Sequence, residues 1–214
     1  MRNLTILLIL LILPLGGFSQ NSKFIVGFDF GAANTSLNFS NQTASSQNLT
    51  QQLMNSKVQT QFNCTGDLNV EYLISSQFSL KSGFGLEKIS TEITAYNITY
   101  YYDYLTIPVL ANFSTKGKIK LYVNAGPTIG FLLNNSPTFV NDNKTNNVEL
   151  GVLFGIGSYI PVSSRICIDI QLRDNYGLTN MMQPGGFLMS AGGYNYSNIN
   201  PNAFGLSIGF RYRI

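Results

Sequence analysis

The sequence predicts an all-β fold, an eight-stranded antiparallel up-and-down transmembrane β-barrel. Apolar residues recur at every second position along eight stretches, which is the period of a β-strand. The connections alternate between short turns and longer polar stretches, as in barrels that have turns at one rim and loops at the other. The N-terminus has the features of a secretory signal peptide, so the mature chain is expected to leave the cytoplasm.

The clearest element is a long hairpin at 105–133. Its first half places apolar side chains at alternate positions from Leu105 to Phe113, and its second half does so from Ile119 to Leu133. The polar stretch 114–117, which ends in Gly, supplies the turn between them. These strands have about the 9–11 residues that a tilted strand needs to cross a bilayer.

Six further stretches repeat this alternation and complete the eight strands. The connections rich in Asn, Gln, Ser and Gly are interpreted as loops, and they include 32–65, 134–147 and 178–200. The six strands are predicted at 24–31, 67–75, 78–89, 148–160, 166–173 and 204–214.

Each strand has a bulky apolar face and a face that carries Gly and charged residues. Alternation alone does not say which of the two points outward, because soluble and membrane barrels are inverted with respect to each other. The signal peptide and the alternating connection lengths favour the membrane barrel. The face with Gly and charges is therefore predicted to line the lumen, and the apolar face to meet lipid.

The first nineteen residues, 1–19, are predicted to be a signal peptide, and 20–214 the outer-membrane barrel domain. Arg2 supplies the positive start, an apolar run extends from Leu4 to Leu15, and Gly17-Phe18-Ser19 gives a small-x-small cleavage site. The alternative is an N-terminal membrane anchor, for which the apolar run is short. The expected location is the outer membrane, after export through the periplasm.

Composition excludes several classes of function. Only 11% of the residues are charged, the net charge is +3 and no basic run occurs, so nothing indicates a nucleic-acid partner. The chain contains no His, which excludes a Ser-His-Asp triad and metal sites built on His. Carboxylate pairs remain possible, but pairing with lumen cations explains them more simply. We expect no enzyme activity, no cofactor and no metal.

The inner face is predicted to hold a ring of charges near the rim with short turns. Arg211 is expected to bridge Asp29 and Asp169, with bidentate geometry to one of them, because closure makes their strands neighbours. Glu71 is expected to pair with Lys81, and the ring would close the narrow lumen of an eight-stranded barrel. The full predicted cluster is Asp29, Glu71, Lys81, Lys120, Asp169 and Arg211.

A run of tyrosines precedes the central hairpin. We interpret it as part of the aromatic girdle at the lipid headgroups, and a ligand platform is the alternative. The run consists of Tyr100, Tyr101, Tyr102 and Tyr104.

Several segments resemble the PorT-like outer-membrane β-barrel family of Gram-negative bacteria. They are YLTIPVL at 104–110, YVNAGPTIGFLL at 122–133, YGLTN at 176–180, LKSGF at 80–84 and GFRY at 209–212. The resemblance covers nearly all of the mature chain and implies an eight-stranded, porin-like barrel of the cell envelope. Some members of that family are tied to protein secretion. One departure is Ile214, because many such proteins end in an aromatic residue.

Three functions are consistent with these observations. The first is a non-enzymatic outer-membrane barrel with a structural or surface-interaction role through its loops, and the second is a small pore or secretion accessory. The third, a lipocalin-like soluble carrier, would need an apolar lumen and usually a Trp, and this chain has no Trp. The expected partners are outer-membrane lipid and, during insertion, the barrel-assembly machinery. The chain is expected to be monomeric, with an extracellular or periplasmic protein partner that the sequence does not identify.

Overall fold

The computed structural model describes residues 23–43, 58–93, 98–136, 146–180 and 195–214. These residues form eight strands that hydrogen-bond in sequence order and close into a single barrel. The strands are β1 Phe24–Thr43, β2 Val58–Leu73, β3 Phe78–Ile93, β4 Ile98–Ser114, β5 Lys120–Ser136, β6 Val148–Pro161, β7 Ile166–Gly177 and β8 Asn195–Arg213.

The barrel closes between its first and last strands. β1 and β8 pair antiparallel from Ile25 opposite Arg213 to Thr43 opposite Asn195. Every strand therefore has two hydrogen-bonded neighbours, and the sheet has no open edge. The predicted fold class, an all-β eight-stranded antiparallel barrel, is confirmed.

The two faces of the sheet are inverted relative to a soluble protein. Large apolar side chains point outward, with Phe28 49% exposed and Phe210 60% exposed. Many charged side chains of the strands point inward, and Asp169 and Arg211 are 0% and 1% exposed. In the part of the chain that the structure describes, no helix is long and apolar enough to cross a membrane.

Several strands are longer than the sequence predicts, and three loop predictions need correction. β1 extends to Thr43 and β2 begins at Val58, so much of the predicted loop 32–65 is strand. β5 runs to Ser136, into the predicted loop 134–147, and β8 begins at Asn195, within the predicted loop 178–200. Asn, Gln, Ser and Thr dominate these extensions and leave few apolar residues, which weakens the period-2 pattern although the backbone hydrogen bonds continue. The predicted signal peptide 1–19 and the segments 44–57, 137–145 and 181–194 lie outside the described residues.

Two irregularities interrupt the ladder of the described strands, one between β4 and β5 at Asp103 and Tyr104 and one between β2 and β3. The register between β2 and β3 shifts between Thr60 and Thr65, which marks a β-bulge. Thr35 of β1 spans the gap, because its hydroxyl accepts a hydrogen bond from the Ser90 amide at 2.9 Å and donates to the Ser90 carbonyl at 3.0 Å. A side chain thus replaces the missing backbone bonds and keeps the barrel wall continuous.

Candidate functional site

Arg211 lies at the centre of a charged cluster inside the barrel. Its strand, β8, lies between β7 and β1, so closure brings Asp169 and Asp29 to either side. Nη2 of Arg211 donates to Oδ2 of Asp29 at 2.7 Å and also to Asp169, and Nη1 donates to Asn69 at 2.7 Å. One nitrogen is shared by both carboxylates, so the predicted bidentate geometry to a single carboxylate is wrong.

Lys81 and Glu71 do not form the predicted ion pair. They face each other across β2 and β3, but the Lys81 ammonium lies 3.5 Å from Oδ2 of Asp29. Glu71 instead accepts hydrogen bonds from Ser79 and from Asn112, the latter at 2.9 Å. The long lysine side chain reaches past β2 to β1, while neutral donors bond Glu71.

Lys120 lies apart from this cluster. It is half-buried at the first position of β5, at the rim with the short turns. None of the ion pairs within 4 Å among residues 23–43, 58–93, 98–136, 146–180 and 195–214 includes it. The predicted ring is therefore a cluster of Arg211, Asp29, Asp169 and Lys81, with Glu71 beside it.

Two tyrosines that the prediction omitted complete the cluster. The Tyr122 hydroxyl donates to Oδ1 of Asp169 at 2.7 Å. The ring of Tyr122 stacks on that of Tyr159 at 4.3 Å, and the Tyr159 hydroxyl donates to Glu71 at 3.3 Å. Both tyrosines occupy inner-face positions in the alternation, so strand parity would have found them.

A second polar layer lies farther from the short turns. Arg173 forms an ion pair with Asp67, and the Asn175 amide donates to Glu87 at 2.8 Å. A cavity of about 30 Å³ lies between this layer and the cluster, with Leu110 among its lining residues. It has room for only about two water molecules.

The tyrosine run does not form the predicted girdle. It belongs to β4, whose side chains alternate, so Tyr102 and Tyr104 point into the lumen and are 4% and 1% exposed. Tyr101 points outward, with the Lys88 ammonium 4.5 Å from its ring centroid. The side chain of Tyr100 lies outside the described part of the structure. Consecutive residues of a strand point to opposite faces of the sheet. The four tyrosines therefore cannot all lie on the lipid-facing side and form the predicted girdle.

The chemistry available in the lumen is ionic and hydrogen-bonding. Across the described ranges, no three His, Cys, Asp or Glu side chains are arranged to hold a metal ion. The carboxylates of the cluster are engaged by Arg211, Lys81 and neutral donors. The arrangement ties opposite walls of the barrel together through side chains.

The closed barrel, its apolar outer face and its charged inner face define the class of outer-membrane β-barrel proteins. The family described as "Outer membrane protein beta-barrel domain" matches residues 18–183. The chain belongs to this family and is an outer-membrane protein. A search of curated proteins found no match.

Solved structures share the fold at low sequence identity. Neisserial surface protein A is 14% identical, with a TM-score of 0.57, over 90% of this chain and 98% of that one. OprG from Pseudomonas aeruginosa is 11% identical, with a TM-score of 0.59, over 91% and 97%. AlkL, solved in lipid bilayers, is 11% identical, with a TM-score of 0.55, over 91% and 92%. At these identities the likeness shows the fold alone.

Proposed function

We propose that this protein is a non-enzymatic outer-membrane barrel with a closed polar lumen, which acts through the residues at its loop-bearing rim. The observation that carries the proposal is the Arg211 cluster, whose side chains extend into the lumen from β1, β3, β7 and β8 and bond to Asn69 of β2. A lumen spanned by ion pairs leaves no wide path for solutes. Contacts between this protein and molecules outside the membrane would then occur at the two ends of the barrel.

The connections at the two rims support a surface role. The turns 74–77, 115–119 and 162–165 are short, whereas the segments 44–57 and 181–194 separate strands by much longer stretches. In outer-membrane barrels the short turns face the periplasm and the longer connections face the exterior. The longer segments are therefore the proposed interaction surface.

We also propose a narrower family assignment and a route of export for this protein. The segments YLTIPVL and YVNAGPTIGFLL favour the PorT-like group within the wider family, and the features of 1–19 favour export by a cleaved signal peptide. The proposed partners are outer-membrane lipid, the barrel-assembly machinery during insertion and a protein met at the outer rim. The barrel is proposed to act as a monomer.

The test exchanges the outer segments and leaves the barrel unchanged. In one variant, 44–57 and 181–194 are replaced by the same residues in scrambled order, and in the control only the turn 115–119 is scrambled. Adhesion of cells to host cells, matrix proteins and other bacteria is measured beside uptake of small solutes. Loss of adhesion in the first variant alone, with uptake unchanged, is expected. Uptake that depends on the protein, with adhesion unaffected, would establish the pore or secretion-accessory alternative instead.

A further inference from the structure

The mouth of the barrel at the short turns is a basic cavity. It has a volume of about 150 Å³ and opens between the turns 74–77 and 162–165 and the start of β5. Four cationic side chains near the mouth line it, and Arg211 forms part of its inner end. The four are Lys118, Lys120, Arg165 and Arg213.

Carboxylates are scarce at this mouth. The three short turns contain no Asp or Glu, and the acidic residue among those lining the cavity is Glu71. That carboxylate already accepts hydrogen bonds from Ser79, Asn112 and Tyr159. Lys118, Lys120 and Arg165 alone therefore outnumber the carboxylate among the residues that line the cavity.

Hydroxyl groups of two similar turns add neutral donors. Ile74-Ser75-Ser76-Gln77 and Val162-Ser163-Ser164-Arg165 have the same pattern, and both Ser pairs line the cavity. The Ser75 hydroxyl accepts from the amide of Phe78 at 3.0 Å, and the Ser163 hydroxyl accepts from the amide of Ile166 at 3.1 Å. Because these bonds use oxygen lone pairs, each hydroxyl hydrogen remains available to donate.

The inner end of the cavity provides an independent observation. Arg211 is 1% exposed, and its Nε is buried without a hydrogen-bond partner in the described structure. Its other two nitrogens are engaged by Asp29, Asp169 and Asn69. A buried, unpartnered cationic donor thus belongs to a residue that lines a cavity rich in other donors.

We infer that this mouth binds an anion that carries a phosphate group. A soluble phosphate monoester presents three terminal oxygens and up to two negative charges, and the phosphodiester of a lipid headgroup presents two terminal and two ester oxygens and one charge. In both the oxygens are arranged tetrahedrally, which suits ammonium, guanidinium and hydroxyl donors on several sides. A carboxylate presents two oxygens and would leave more of these donors unused. The phosphate group comes from a phospholipid headgroup at the membrane surface or from a soluble phosphate compound.

The experiment compares two double variants of equal charge. Lys118→Gln/Lys120→Gln removes two cations that line the cavity, whereas Lys23→Gln/Lys116→Gln removes two exposed cations outside its lining. Binding of inorganic phosphate to the purified full barrel in maltoside detergent is measured by calorimetry at low salt. The first variant is expected to bind at least tenfold more weakly than wild type, and the second within threefold.

A second arm identifies the source of the phosphate. Barrels reconstituted with phosphatidylglycerol or phosphatidylcholine are returned to detergent, and the retained lipids are counted by native mass spectrometry. Retention of phosphatidylglycerol that Lys118→Gln/Lys120→Gln abolishes supports a headgroup, and binding of inorganic phosphate alone supports a soluble compound. Equal behaviour of the two double variants in both arms would overturn the inference, as would acetate binding as tightly as phosphate.

Discussion

At the scale of single residues, the central feature is the sharing of Arg211 between two buried carboxylates. Asp29 is 3% exposed and Asp169 0% exposed, so neither carboxylate can exchange a lost partner for bulk water. Removing one member of a buried ion pair leaves an uncompensated charge, which typically costs about 3–5 kcal/mol.

Arg211→Leu is therefore expected to lower the free energy of unfolding by about 3–5 kcal/mol, because Asp29 and Asp169 lose their shared donor. Arg165→Leu is the matched control, since Arg165 is exposed in a turn and the same substitution there should change stability by under about 0.5 kcal/mol. Urea unfolding of the barrel in lipid gives both values. Equal midpoints for the two variants would refute the stabilising role of the cluster.

Coupling within the cluster is tested by a double-mutant cycle. Asp169→Asn removes one of the two charges that Arg211→Leu leaves unpaired. The double variant should then be more stable than the sum of the single effects by about 0.5–3 kcal/mol, as for residues in direct contact. Strictly additive unfolding energies would show that the Arg211–Asp169 contact contributes nothing.

Two lumen tyrosines offer a matched comparison. The Tyr122 hydroxyl donates to Asp169 at 2.7 Å, whereas the Tyr104 hydroxyl is buried without a partner in the described structure. Tyr122→Phe is expected to destabilise by about 1.5–3 kcal/mol, the range for a hydrogen bond to a charged group. Tyr104→Phe should be neutral or stabilising, because it removes an unsatisfied polar group. A larger loss for Tyr104→Phe in the same urea assay would contradict this placement of the two hydroxyls.

At the scale of the strands, glycines make room for the buried charges. Gly27 lies opposite Arg211, and Gly209 lies opposite Asp29 on one side and Asp169 on the other. A Cβ atom at Gly209 would lie 2.7 Å from the Phe28 carbonyl and would also meet the Asp29 carboxylate. The lumen of an eight-stranded barrel is narrow, so a large polar side chain needs a small partner on the next strand.

Gly209→Ala is expected to destabilise the barrel by about 1–3 kcal/mol, because the added methyl group displaces Asp29 or the β1 backbone. Gly66→Ala is the control, since the nearest atom to a Cβ there is 3.9 Å away. That change should be neutral or stabilising by up to about 1 kcal/mol. Similar losses for both variants, in thermal or urea unfolding, would show that the crowding at Gly209 is relieved cheaply.

Strand periodicity predicted the barrel and the inner position of each cluster member, but not the strand ends. The outward side chains of the central strand segments are apolar because they meet lipid, and this produces the alternation. Toward Thr43 and Val58 apolar residues are sparse among Asn, Gln, Ser and Thr, with Leu37 and Phe39 in β1 and Val58 and Phe62 in β2, so the alternation that marks a strand is weak there. The tyrosine run was misjudged for a related reason, because β4 already includes it and alternation separates its members.

The partners within the cluster were only partly predictable. Closure of β8 on β1 brought Arg211 to Asp29 and Asp169, as expected from topology alone. The contact from Lys81 to Asp29 depends on the length and direction of a side chain that reaches past β2, and strand pairing alone does not predict that direction. Strand pairing therefore predicts which charged residues lie at the same level along the barrel axis, but not which of them form ion pairs.

At the scale of the whole molecule, the apolar outer face places the barrel in the membrane, and the ion pairs inside its lumen are expected to block the passage of ions. The side chains of the cluster span the interior, and the cavity beside them is about 30 Å³. A continuous water-filled path for ions would require those ion pairs to part. The central claim is that the folded barrel holds them together.

Planar-bilayer recording with the purified full-length protein tests this claim most directly, with insertion verified independently by protease protection. The wild-type barrel is expected to show no stable ohmic conductance. Reproducible single-channel steps from correctly inserted protein would contradict the closed lumen and the function proposed from it.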